Sequence, residues 1–316
     1  MDQVLKLNNL KIGYHQTALI DSINASIAKG EFVVVLGKNG VGKSTLMNTI
    51  LGLEKILKGS ILLDNQSING LKNQEISRQI AVVFSKLEVV PQIKVFDLIK
   101  TGRIPYHSYL NKLSEDENLL INQTIELVGI SSLCTKYATE LSEGQLQLVM
   151  IARALVQDTP ILILDEPTAN LDLENQLRIF QLIKKLRKET NKSILMITHE
   201  AKLALDFADK IWWIENNKLH EGLPESMAFQ HQIIQKLSGN YLQYNPYKGD
   251  YMIQTKPLNS QIVNDNELAY WINKALERLD LDLNNNSVEI TSENNIIFEN
   301  QKFETLDSFL KYITSA

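Results

Sequence analysis

Eight consecutive residues carry the strongest chemical signal in the chain: Gly37-Lys38-Asn39-Gly40-Val41-Gly42-Lys43-Ser44. Glycines permit backbone conformations closed to other residues. Successive N–H groups can then turn toward one anion, with a helix N-terminus behind them. The pattern G-x-x-x-x-G-K-[ST] is a phosphate-binding loop, in which Lys43 reaches the outer phosphates and the Ser44 hydroxyl is a magnesium ligand. Thr45 follows at the start of the helix. A second signal is Asp165-Glu166, directly after the apolar run Ile161-Leu162-Ile163-Leu164. Carboxylates at the carboxyl end of a buried strand stand where open α/β sheets bind their ligands. Asp165 suits magnesium, directly or through water, and Glu166 suits the general base that activates an attacking water. A bare glycine turn, or acids that only cap the turn at Pro167, are the alternatives. Agreement of the loop with both flanking elements argues against them.

These residues need elements to hold them. Val4 to Ile27 alternates apolar and polar positions, with Gly13 and Gly30 as punctuation, and predicts antiparallel strands. Phe32 to Leu36 is β-branched and bounded by Gly37, which predicts a fully buried strand. A helix from Thr45 to Leu53 and a strand from Gly59 to Leu63 follow. Residues from about 97 to 157 carry few strand signals. Ser114 and Glu117 there have capping-box spacing, Gly129 is a C-cap, and a second helix spans Glu143 to Val156. Leu173, Leu177, Phe180, Ile183 and Leu186 predict one apolar helix face, flanked by strands at 161–164, 193–198 and 211–214. Strand and helix in alternation predict a largely parallel sheet with an inserted helical subdomain.

Leu141-Ser142-Glu143-Gly144-Gln145 resembles the L-S-G-G-Q signature of ABC transporter ATPases, 20 residues before Asp165 and at a helix start. Phosphate loop, signature, Asp165-Glu166, Ala169-Asn170-Leu171-Asp172 and His199 occur in that family's order, over residues 1 to 222. The resemblance implies a P-loop ABC ATPase core that binds ATP and Mg2+ and pairs with a second copy around two ATP molecules. By the same resemblance, residues 37–45 of one copy face the signature of the other, where Ser142 and Gly144 donate hydrogen bonds to the γ-phosphate and Gln145 is a further ATP-binding residue. Asp172 couples the two sites, His199 positions water with Glu166, and Tyr14, 23 residues before Gly37, stacks on adenine. Two departures stand out. Glu143 replaces a family glycine, and Ser85 stands where the family has a magnesium-sensing glutamine. Serine is too short for that role without a bridging water, and Gln92 lies seven residues late. Slower or differently coupled hydrolysis is the expectation.

Gly102-Arg103-Ile104-Pro105-Tyr106 resembles the G-R-x-P-[HWY] segment of importers for ferric siderophores, haem and vitamin B12. That implies membrane permease subunits as partners, and through them an extracytoplasmic binding protein. A location on the inner face of the cell membrane, cytoplasmic and peripheral, is expected. A non-transport ABC protein and a weakly catalytic regulatory subunit are the alternatives. The single ATPase domain and the lack of long heptads oppose the first. Intact Lys43, Asp165, Glu166 and His199 oppose the second.

Composition sets the bounds. A formal charge of -5 and a pI near 5.7 disfavour a nucleic-acid binder. Apolar residues at 44% and charged residues at 22% are those of an ordinary packed domain. One cysteine, Cys134, forbids an intrachain disulfide and reads as a core residue in a reducing compartment. No export signal and no apolar run near the roughly 20 residues of a membrane span are visible. Residues 223–316 form a separate α+β appendage, rich in Asn, Gln and Tyr. Its helix faces are Leu268, Trp271, Ile272, Ala275, Leu276 and Leu279, then Leu306, Phe309, Leu310 and Ile313, with strands 288–290 and 296–298 between them. Tyr270 and Trp271 read as core or helix surface, and Asp280 to Asn284 as a turn lacking the glycine and glutamate of a calcium loop.

Overall fold

The computed structural model describes residues 2–15, 17–85, 92–106, 113–231, 233–238, 242–245, 250–253, 261–263, 267–279, 287–291 and 295–315. Residues 280–284 and the Tyr270 side chain lie outside these. The chain divides into two compact units, Met1–Leu237 and Ser238–Ala316.

The first unit begins with β1 (Gln3–Tyr14) and β2 (Thr17–Ala28), paired antiparallel. Next come β3 (Phe32–Gly37), α1 (Lys43–Ile50), β4 (Lys58–Leu63), β5 (Gln66–Ser67), α2 (Asn73–Ser77) and β6 (Ile80–Val83). A helical stretch follows: α3 (Val95–Lys100), a 3-10 turn at Thr101–Tyr106, α4 (Glu115–Val128) and α5 (Glu143–Leu155). The order then alternates through β7 (Ile161–Asp165), α6 (Leu173–Thr190), β8 (Ser193–Ile197), α7 (Ala201–Phe207), β9 (Lys210–Glu215) and β10 (Lys218–Gly222). Helices α8 (Pro224–His231) and α9 (Ile233–Ser238) close it.

The main sheet has the order β10-β9-β3-β8-β7-β6 and is parallel except for β10. All residues of β3, β7 and β8 are buried, as apolar runs covered on both faces must be. A second sheet, β2-β1-β4-β5, is antiparallel, and one continuous apolar core joins the two through Leu5, Ile27, Val33, Ile163 and Trp212. Each such aliphatic side chain contributes about 1.5–3 kcal/mol on burial. The capping box at Ser114 forms in both directions, 2.9 and 3.2 Å, and Gly129 closes α4 at φ 75°.

Three expectations need correction. On α6, Phe180, Ile183 and Leu186 are buried, but Leu173 and Leu177 are 72% and 36% exposed, because the first turns of the helix are not packed into the core. Cys134 is only half-buried, in a turn where its thiol donates to the Ile130 carbonyl. Residues 223–237 belong to the first unit, not to the appendage. Met227, Ile233 and Ile234 are buried there, and Lys236 pairs with Glu215 of β9 at 2.7 Å.

The second unit contains β11 (Leu242–Asn245) paired with β12 (Asp250–Ile253), then β13 (Gln261–Val263), α10 (Glu267–Leu279), β14 (Ser287–Ile290), β15 (Ile296–Phe298), β16 (Gln301–Phe303) and α11 (Leu306–Ser315). Its own core gathers Ile272, Leu276, Val288, Ile296, Phe298 and Phe309, while Trp271 lies on the surface at 53% exposure. Among the described residues, no helix is long and apolar enough to cross a membrane.

Candidate nucleotide site

The phosphate loop follows β3 at the carboxyl edge of the main sheet and runs into α1. Gly40 and Gly42 adopt φ values of 78° and 108°, which L side chains resist. A Cβ placed on Gly40 would meet nothing within 4 Å, so its backbone faces open space. Lys43 is buried, and its ammonium donates to the Gly37 carbonyl at 2.8 Å and the Lys38 carbonyl at 3.1 Å. Burial holds its pKa below the usual lysine range, against the opposing pull of Glu166 and Asp165. Ser44 is exposed on the first turn of α1. The Thr45 hydroxyl is buried against the Tyr14 hydroxyl, 3.0 Å away, which fixes the half-exposed ring of Tyr14 beside the loop. Lys38, Asn39 and Val41 complete the loop.

Asp165 ends β7 with 7% exposure. Burial raises its pKa above the usual carboxylate range, opposed chiefly by hydrogen bonds from the Ser85 hydroxyl and backbone N–H. Ser85, the departure from the family's glutamine, is therefore engaged with Asp165. Glu166 has left the strand with φ 48°, and its N–H donates to the Ile197 carbonyl of β8 at 2.8 Å. Its Oε1 lies 2.6 Å from Nε2 of His199. The structure thus brings residues 37–45, Tyr14, Asp165, Glu166 and His199 to one edge of the fold. A buried ammonium, open glycine backbone, an exposed serine hydroxyl and a buried carboxylate together fit a nucleotide phosphate with its divalent cation.

A second group forms at the start of α5. The Ser142 hydroxyl accepts from the Gln145 N–H, and the Gln145 side chain accepts from the Ser142 N–H, both at 3.3 Å. Gly144 is buried, and a Cβ there would sit 3.2 Å from the Asn175 side chain. Asn175 in turn holds Asp172, the N-cap of α6, through its N–H at 2.8 Å and its side-chain amide at 3.1 Å. Asn175 and its neighbour Gln176 escaped the sequence reading. Only the Asp-x-x-Asn spacing of a helix start could have flagged the first of them.

Residues 20–169 match the ABC transporter family. The chain is 35% identical to the petrobactin import ATP-binding protein FpuD of Bacillus anthracis, over 72% of its own length and 84% of the relative's. The iron(3+)-hydroxamate import ATP-binding protein FhuC of Bacillus subtilis is 34% identical over 65% and 76%.

The chain belongs to the ABC transporter ATP-binding proteins.

The cassette also resembles solved structures. CbiO1 of Clostridium perfringens, part of the ABC transporter complex CbiONQ, is 30% identical with a TM-score of 0.66, over 75% of this chain and 95% of that one. The MJ0796 cassette, solved as a dimer in a post-hydrolysis state with ADP and Pi, is 29% identical with a TM-score of 0.59, over 70% and 98%. The cassette is accordingly an ATPase of this family.

The 101–106 segment is pinned from several sides. Arg103 pairs with Glu117 at 3.0 Å, both nearly buried, donates to the Val156 carbonyl at 3.0 Å, and lies 4.2 Å from the Tyr106 ring centre. Gln74 and Arg78 donate to the Pro105 carbonyl at 3.1 and 3.2 Å, tying the segment to α2. Arg153 reaches the Thr101 hydroxyl at 2.8 Å.

Proposed function

We propose that two copies of the cassette enclose two ATP molecules and use their hydrolysis to drive import of a metal chelate, such as a ferric siderophore, haem or cobalamin, through membrane permease subunits. The contact between Glu166 Oε1 and His199 Nε2 carries the hydrolytic part. With the proton on Nε2, His199 donates to Glu166 Oε1 and leaves the other carboxylate oxygen open to accept a proton from water. Lys43 supplies positive charge toward the β- and γ-phosphates, and the N–H groups of Gly37 to Thr45 line their path. Ser44 and Asp165 would hold Mg2+, which neutralises charge on the phosphate oxygens when bound. Tyr14 offers its ring to adenine. Ser142 and Gly144 of the second copy offer donors to the γ-phosphate, with Gln145 beside them in the ATP site and Asp172 linking the two sites.

The chelate reading is supported by the relatives that act on petrobactin and ferric hydroxamates and by the pinned 101–106 segment. It places the cassette on the inner face of the cell membrane, held by the permease and supplied through an extracytoplasmic binding protein. The test is ATP turnover by the purified protein beside Glu166→Gln, with particle mass followed in ATP and Mg2+. Wild-type turnover, with an inactive variant locked as a dimer, is expected. Equal turnover in both would end the hydrolytic assignment. For the cargo, turnover should rise with a reconstituted chelate permease, and its indifference to every such permease would sink that part.

A further inference from the structure

We propose that Gln176 is a positioning residue for hydrolysis, setting the place of His199 from the turn that follows Glu166. The inference rests on the assignment of Glu166 and His199 as the hydrolytic pair. Gln176 lies half-buried on the first turn of α6. Its side-chain amide donates to the Leu171 carbonyl at 3.1 Å and to Glu200 Oε1 at 3.1 Å, with the Thr168 carbonyl at 3.5 Å. An amide has two N–H groups, and the two shorter bonds use both. One partner belongs to the turn between Glu166 and Asp172. The other belongs to the residue after His199.

The far side of His199 is held by the same turn. Thr198 Oγ1 lies 3.3 Å from Thr168 Oγ1, with both residues about fully buried, and it accepts from the Glu200 N–H at 3.1 Å. The turn itself is stiff, because Ala169 N–H donates to the Glu166 carbonyl and Leu171 N–H to the Thr168 carbonyl, at 3.1 and 3.3 Å. His199 is therefore clamped through both chain neighbours. Glu200 occupies the N-cap of α7, yet its side chain makes no capping bond there. It accepts from Gln176 instead. Because Asn175, the preceding residue, rests on Gly144 and holds Asp172, movement at the start of α6 reaches His199 through Gln176.

Gln176→Glu keeps the size of the side chain, removes the donors, and sets a carboxylate against Glu200 and a carbonyl. A drop in kcat of roughly 10- to 100-fold is expected, as for a small displacement of a reacting group. KM for ATP and affinity for a fluorescent ATP analogue should stay near wild type, and the loss in Tm from the opposed carboxylates should be reversed together with kcat by the double change below. Adding Glu200→Gln reverses donor and acceptor and should restore a large part of kcat. A kcat unchanged in Gln176→Glu overturns the inference, and so does a parallel fall of kcat, ATP affinity and Tm without rescue by the double change. Glu166→Gln is assayed alongside. If it is inactive while Gln176→Glu is normal, this inference alone fails. If it turns over at the wild-type rate, the hydrolytic pair is wrong and the inference falls with it.

Discussion

Asp165 and Lys43 are both buried charges whose ionised forms the fold disfavours on desolvation. For Asp165 the sign is clear. Its folded pKa is above the unfolded one, so the penalty is full above the folded pKa and is relieved as pH falls through it. Asp165→Asn should therefore raise Tm of the nucleotide-free protein near neutral pH while lowering kcat at least tenfold, a magnitude on the order of other removed charge stabilisers. Calorimetry and steady-state turnover check the pair of effects. Ser85 opposes the upward shift of Asp165. Ser85→Ala should then raise the Mg2+ concentration giving half-maximal turnover, more so at pH 6 than at pH 8, since protons compete better for the unassisted carboxylate. An unchanged Mg2+ requirement would contradict this. Cys134, raised by burial alone, should alkylate with iodoacetamide slower than a free thiol at pH 8 and at an ordinary thiol rate in guanidinium.

At the level of elements, local chemistry spoke clearly in the sequence wherever one short stretch sufficed. The run Phe32–Leu36 and the glycines behind it specify a buried strand and a phosphate loop with no help from elsewhere. Ser114 with Glu117, and Gly129, mark both ends of α4. What stayed illegible depends on residues distant in the chain. Leu173 and Leu177 have the spacing of a buried face, but only the packing of the neighbours shows where that face leaves the core. Gln176 looked like any polar helix residue until Leu171 and Glu200 were brought to it. The bond from Ser85 to Asp165 likewise joins the ends of β6 and β7, which are neighbours in the sheet and far apart in sequence. Gly102 makes the same point through packing. A Cβ there would sit 2.1 Å from the Arg153 carbonyl and 2.5 Å from Val156 Cγ2. Gly102→Ala must push the 101–106 segment away from α5, at about 1–3 kcal/mol. A lower urea midpoint with an unchanged m-value would show it, and an unchanged midpoint would refute the close contact.

For the whole molecule, each of the two units carries its own core. Composition already separated the appendage in the sequence, yet it placed the boundary before α8, because α8 and α9 declare their allegiance only through Met227, Ile233 and the Lys236–Glu215 pair. Two cores predict two calorimetric transitions in the full chain. The smaller unit, with less surface to bury, should melt first. A single transition would show that the units unfold together. The main sheet carries a different consequence. Its strand β3 lies between β8 and β9, whose residues end at Ile197 and Glu215. Synthesis proceeds at about 5–20 residues per second, so Phe32–Gly37 leaves the ribosome roughly 10–40 s before both partner strands exist. Until β8 has been made, which is most of that interval, these six apolar or small residues have no neighbouring strand to pair with. The nascent chain is thus a client for chaperones that hold hydrophobic segments, and the phosphate loop takes shape only when almost the entire first unit has been made.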